Sequence, residues 1–145
     1  MSDITPILPS SVTPYYGPGE NQNLIQKLEE LYKEYNQELG VWQHEHPPTE
    51  KTQEALVEIA IKVRDFLIQN KTQLMAIAKQ EGWANKGTDS FTNFYEGTIQ
   101  GVNSLLDALR MHPPPELDGV LIFINEQICN AAWFLTHRTP PPHPP

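Results

Sequence analysis

From Leu117 to Arg138 the chain sets apolar side chains in nearly every direction around a helical axis, among them Leu121, Ile122, Phe123, Ile124, Ile128, Trp133 and Phe134. A helix that is apolar all round belongs inside an assembly of other helices. The three segments before it read as one-sided amphipathic helices able to surround it. The expected fold class is therefore all-α: a small four-helix bundle, antiparallel, with proline-rich disordered or extended termini. Trp133 is expected in its core. Taken alone, Val120 to Ile124 also fits a short buried strand, but no second strand-like run exists to pair with it.

The punctuation of the chain divides it into three parts. Of its 14 prolines, most lie at the two ends and the rest form two short clusters, Pro47-Pro48 and Pro113-Pro114-Pro115. Residues 1–20 carry Pro6, Pro9, Pro14 and Pro18, so this arm is expected to be extended or disordered alone. It is nevertheless apolar for a spacer, with Ile4, Ile7, Leu8, Val12, Tyr15 and Tyr16. Two expectations stand for it: docking on a partner, or packing across its own domain. Residues 21–138 form the helical domain, and 139–145 a polyproline tail.

Within the domain, Leu24, Leu28, Leu31, Tyr35 and Leu39 recur at three- and four-residue steps and predict a first helix from about Asn21 to Gly40 or slightly beyond. A second helix opens after Pro47-Pro48 with Thr49 or Thr52 as its cap. Its stripe of Leu56, Ile59, Val63, Phe66 and Leu67 continues through Leu74, Ile77 and Ala78. Because no glycine or proline lies between Thr52 and Glu81, one long helix is expected, with a restart at Thr72 as the alternative. Gly82 should end it, and Asn85-Lys86-Gly87 reads as a turn. The third helix is expected from Asp89 or Ser90, with a stripe of Phe91, Phe94, Tyr95, Thr98, Val102, Leu105 and Leu109. Gly97 and Gly101, one turn apart on one face, suit the close approach of another helix. The fourth helix should start at Glu116 or Asp118.

Charge narrows the partners. A formal net charge of −8 with ten Lys plus Arg works against nucleic-acid binding, which needs a basic face to neutralise phosphates. The same balance works against an anionic membrane surface. No basic region precedes an apolar run at the N-terminus, and Val120 to Ile124 is too short to span a bilayer. The expected compartment is the cytoplasm. A single cysteine, Cys129, allows no internal disulfide and no zinc site with two thiolates, and its apolar neighbours mark it as a small core residue.

Chemistry-bearing patterns are sparse. There is no Glu-x-x-His, Glu-x-x-Glu or Glu-x-x-Asp pair of the kind that helical di-metal carboxylate sites use. No Gly-x-Ser-x-Gly elbow and no phosphate-cradling loop occurs either. Of the five histidines, His44 and His46 form the one cluster, a weak metal candidate with no third ligand in view. No cofactor is implied. Asn130 and His137 lie two helical turns apart on one face of the last helix, with Arg138 beside them. This pair resembles the Arg/Asn-to-His element of HEPN-type helical ribonucleases, with Asn where Arg is usual. The resemblance covers two residues and implies acid–base work at His137 with Asn130 helping to place it.

Trp42 and Trp83 sit beside loop breakers, where an indole either packs on the domain or anchors a partner half-exposed. The expected role is a non-catalytic protein–protein interaction module, an adaptor, accessory subunit or regulatory inhibitor. Its partner is a protein, a second copy of the chain included. The residues expected to carry contact are Ile7, Leu8, Tyr15, Tyr16, Trp42 and Trp83. The alternatives are the helical ribonuclease and a small-ligand binder with a pocket among Phe91, Phe94, Tyr95, Phe123 and Trp133.

Overall fold

A computed structural model describes residues 20–45, 49–79 and 84–137, and the side chains of all of these except 20, 84–90 and 137. Its elements are α1 (Glu20–His44), α2 (Glu50–Gln69), α3 (Lys71–Lys79), α4 (Ala84–Leu109) and α5 (Asp118–His137). The described residues are all helix and connecting turns, with no strand among them, so Val120 to Ile124 is helical. The proline-rich arm and tail lie outside the described residues.

The first stripe buries as its spacing requires: Leu28, Leu31, Tyr35 and Leu39 are enclosed, joined by Ile25, while Leu24 is half-buried. α1 does not stop at Gly40. It runs one further turn to His44, whose Nδ1–H donates to the Gly40 carbonyl at 3.0 Å and so closes the C-terminal turn. That extra turn carries Trp42 onto the inner face.

The turn into α2 is held by three side chains. Thr49 is the N-cap, its hydroxyl accepting from the Thr52 N–H at 3.1 Å. The Glu45 carboxylate accepts from the Thr52 hydroxyl at 2.7 Å and from the Thr49 N–H at 3.2 Å. Glu45 thereby ties the end of α1 to the cap of α2.

The expected long second helix is two helices, divided at Asn70. Its backbone leaves the helical region, with φ −113° and ψ 23°. The Asn70 N–H and side-chain Nδ2 both donate to the Phe66 carbonyl, at 3.1 and 2.9 Å. Asparagine competes for backbone partners in this way, and a side chain entering the hydrogen-bond ladder is a recognised cause of a helix break. The Asn70 carbonyl then accepts from the Leu74 N–H at 2.9 Å and starts α3. Both halves keep their buried stripe: Leu56, Ala60, Val63 and Leu67 in α2, then Leu74, Ile77 and Ala78 in α3.

α4 begins at Ala84, before the expected Asp89 or Ser90, and Asn85-Lys86-Gly87 lies within it rather than in a turn. One glycine in a helix costs about 1 kcal/mol, too little to stop it without a proline. α5 starts as expected at Asp118, its first bond running from the Leu121 N–H to the Leu117 carbonyl at 3.0 Å.

The pairings are antiparallel. Along α4 and α5, Phe91 lies by Phe134 with ring centroids 6.2 Å apart, while Gly97 faces Gln127 and Gly101 faces Ile124. α1 meets α5 through Trp42 Nε1 to Asp118 Oδ1 at 3.3 Å, the Tyr35 phenol to the Leu121 carbonyl at 2.8 Å, and Thr136 Oγ1 to Glu29 Oε2 at 3.0 Å. α2 meets α4 through Arg64 Nη1 to Asn103 Oδ1 at 3.0 Å and the Tyr95 phenol to the Leu67 carbonyl at 2.9 Å.

The close approach predicted for Gly97 and Gly101 is realised against α5. A Cβ on Gly101 would stand 2.8 Å from Ile124 Cγ1 and 3.2 Å from Phe123 Cδ2. The expectation that α5 is enclosed on every side is not met. Leu121, Ile124, Ile128, Phe134 and Leu135 are buried, yet Ile122 and Phe123 are 39% and 42% exposed, and Trp133 is half-buried rather than fully in the core. α1 and α4 flank α5, and no described helix lies over its outer side.

Candidate interaction surface

The outer side of α5 is built by helical register. Gly119, Ile122, Phe123, Glu126, Asn130 and Trp133 recur at one-, three- and four-residue steps and share about a third of the helix circumference. Glu126 is the one charged residue between Gly119 and Thr136. Asp118, at the head of the helix, is engaged with the Trp42 indole. The borders continue the pattern: register places the exposed Asn93, Gln100 and Ser104 of α4 along one edge and the exposed Asn36 and Gln43 of α1 along the other. On a chain of net charge −8 this is an apolar, amide-edged strip with a single carboxylate.

Phe123 is held out by its own packing. Its ring lies against Gly101, where the missing side chain of α4 makes room for the ring's inner edge while the rest faces solvent. Below the strip, Asn125 is partly buried, and its Oδ1 is shut away from solvent with no hydrogen-bond partner among the described residues. Toward α1, the partly buried Tyr32 interacts with the half-buried Cys129. Burial foremost, then this thiol neighbour, pushes the Tyr32 phenol up to about 12. Cys129 is thus half-buried between α5 and α1 rather than enclosed in the core.

Of the residues expected to carry contact, Trp42 takes the packed of its two expected positions: its indole is 8% exposed and bonded to Asp118, so it does not project as a half-exposed anchor. Ile7, Leu8, Tyr15, Tyr16 and Trp83 lie outside the described residues. His44 is exposed, with Nδ1 committed to the Gly40 carbonyl, and His46 lies outside the described residues. No group of three or more His, Cys, Asp or Glu among the described residues is placed to hold a metal ion.

Asn130 is half-buried on the outer strip; the side chain of His137, its expected partner, is outside the described residues. The five rings expected to line a ligand pocket diverge. Phe91 and Tyr95 pack inward on each other, 6.0 Å apart, Phe94 and Trp133 are half-buried, and Phe123 faces outward. The outward pair Ile122 and Phe123 was not singled out for contact by sequence. The available signal was the run from Gly119 to Thr136 with one charge, which reads equally as core.

No helix among the described residues is long and apolar enough to cross a membrane. Comparison of the chain with known protein families, with curated proteins and with solved structures finds no match. The described residues thus form an all-helical unit with a largely apolar, partly aromatic strip, bearing the single carboxylate of Glu126, along the outside of α5.

Proposed function

We propose that this protein is a non-catalytic interaction module, an adaptor, accessory subunit or regulatory inhibitor, and that it docks its partner on the outer strip of α5. The observation that carries the reading is the adjacent exposure of Ile122 and Phe123 in a helix whose outward side has one charge. A partly exposed aromatic beside a branched aliphatic is the kind of anchor that dominates interfaces, because each removes large apolar area from water at little entropic cost. The bordering amides suit a partner that presents backbone donors and acceptors, hence an extended segment, and the acidic remainder of the surface discourages anionic partners. On this reading α2 and α3 together act as one broken helix of a four-membered antiparallel bundle.

The test is affinity capture from source lysate with wild type and Phe123→Asp as baits, read by mass spectrometry. The expected result is one or more proteins held by wild type and lost by the variant, with His137→Ala retaining them. Identical capture by wild type and Phe123→Asp, together with loss of cellular activity in His137→Ala, would replace the docking reading with the ribonuclease one.

A further inference from the structure

We infer that the outer strip of α5 takes a second copy of this chain, antiparallel to itself, so that the free protein is a two-fold dimer. This rests on the docking reading above and names an occupant for the same surface; the extended partner then meets the strip when the dimer opens. Shape, charge and the order of residues along α5 lead there.

The α5 residues that meet α1 are Asp118, Leu121, Cys129 and Thr136, and Ile124, Gln127 and Phe134 meet α4. By helical register the two sets lie on opposite sides of α5, so α1, α5 and α4 stand side by side and offer one broad face. From Gly119 to Thr136 that face is about 26 Å long. With a neighbouring axis about 9 Å away on each side it is roughly 28 Å wide, which outlines about 700 Å². A stable pair needs about 800 Å² of accessible surface from each partner, and the accessible area of a ridged face exceeds its flat outline. The three-helix face is therefore of dimer size.

Two copies at −8 each repel unless they meet where charge is scarce. The strip meets that condition, because Glu126 is its one charged residue and the bordering Asn36, Gln43, Asn93, Gln100 and Ser104 are neutral.

The order of residues supplies the register. Phe123 and Trp133 lie five residues either side of Ile128, and Glu126 and Asn130 two either side. A two-fold axis at the level of Ile128 therefore sets Phe123 beside Trp133 of the second copy and Glu126 beside its Asn130, each pair formed twice. Phe123 and Asn130 sit on the α4 half of the strip, Trp133 on the α1 half and Glu126 along its middle. Paired side chains thus interdigitate like the layers of an antiparallel coiled coil. Ring packs on ring, and the carboxylate accepts from the Asn130 amide N–H, so closing the strip leaves no charge unpaired. An axis at Glu126 would instead oppose the two carboxylates.

The experiment uses the full chain. Sedimentation velocity should give twice the chain mass. In a mixture of isotope-labelled and unlabelled chains, filtered NMR should show cross-relaxation between the Phe123 ring and the Trp133 indole of different chains. Within one chain these are about 15 Å apart along the helix, too far for such a peak. Asn130→Asp, which opposes Glu126 with a second carboxylate, should weaken the dimer about tenfold or more with helix content retained by circular dichroism. Adding Glu126→Gln restores a carboxylate–amide pair and should restore the dimer. A single-chain mass at every concentration, a dimer without the Phe123–Trp133 peaks, or an Asn130→Asp loss that Glu126→Gln does not rescue overturns the inference. A monomer that still loses its lysate partners on Phe123→Asp would sink the dimer and keep the docking reading. A dimer whose lysate capture is indifferent to Phe123→Asp would do the reverse.

Discussion

The Tyr95 phenol donates to the Leu67 carbonyl at 2.9 Å, one turn before α2 breaks at Asn70. Tyr95 is 4% exposed, and the hydroxyl is the polar tip of a residue otherwise packed against Phe91. The break and the tyrosine thus answer one another: carbonyls at the end of α2 are taken by Asn70 at Phe66 and by Tyr95 at Leu67. Tyr95→Phe keeps the ring and removes the donor. A buried carbonyl left without its partner costs about 1–2 kcal/mol. Urea unfolding should show that loss with an unchanged slope, and an unmoved midpoint would place the phenol outside the energetics of the break.

Gly97 and Gly101 look alike in sequence but should respond in opposite senses to alanine. Each gains up to about 1 kcal/mol of helix propensity. At Gly97 the new Cβ meets Gln127 Oε1 at 2.6 Å, the far end of a flexible side chain that can turn away. At Gly101 it meets the Phe123 ring at 3.2 Å and, at 2.8 Å, the fully buried, branched Ile124, which has no room to yield. Overpacking of that kind costs about 1–3 kcal/mol. Gly97→Ala is therefore expected to be neutral or mildly stabilising and Gly101→Ala destabilising, in parallel thermal melts. Equal midpoints would mean that α5 slides to accommodate both.

Much of this architecture was legible because helical spacing alone decides which side chains share a face. The stripes Leu28–Leu31–Tyr35–Leu39 and Phe91–Tyr95–Thr98–Val102–Leu105 are buried as their periodicity requires. The break at Asn70 was legible only as the alternative to one long helix, since asparagine stops a helix only when its amide finds a carbonyl and the neighbouring carbonyl finds another donor, here Tyr95, 28 positions from Leu67. Trp42 was left between packing on the domain and anchoring a partner for a related reason: Gly40 and the prolines blur where the helix ends, and its continuation delivers the indole to Asp118, 76 positions away. The α5 strip escaped because hydropathy counts what a helix carries and not what stands beside it. Ile122 and Phe123 are as apolar as Leu121 and Ile124, and only the absence of a described helix on their side separates them.

Three of the chain's five tyrosines ionise late. Burial raises Tyr35 strongly, raises Tyr32 to about 12 with help from Cys129, and raises Tyr95 with help from Glu96. A phenol whose pKa is higher folded than unfolded contributes stability that is fully present below the unfolded value of about 10 and is lost as pH rises through the folded one. Ultraviolet titration at 295 nm should therefore show these three resisting ionisation near pH 10–11 and then ionising together with loss of helix. Reversible titration of all five near pH 10 with helix intact would contradict the burial of Tyr35 and Tyr95.

At the acid end the sensitive group is Glu45. The Thr52 hydroxyl, first, and the Thr49 N–H, second, hold its carboxyl below the ordinary carboxylate range, because both donate to the ionised form. A depressed folded pKa gives stability that is present above the unfolded value of about 4.3 and is lost as pH falls through the folded one. The carboxylate is the clasp between the end of α1 and the cap of α2, so protonation weakens the connection at the point where Thr49 also begins the helix. Glu45→Gln keeps an acceptor oxygen but removes the charge. Its unfolding midpoint should lie below that of wild type at pH 7, with the two curves converging as pH falls from 5 toward 3. Thr52→Val removes the strongest donor and should produce the same convergence, since the Glu45 shift depends on it. Parallel curves across that interval, with neither variant closing on wild type, would show that the carboxylate of Glu45 does not link the two helices in solution.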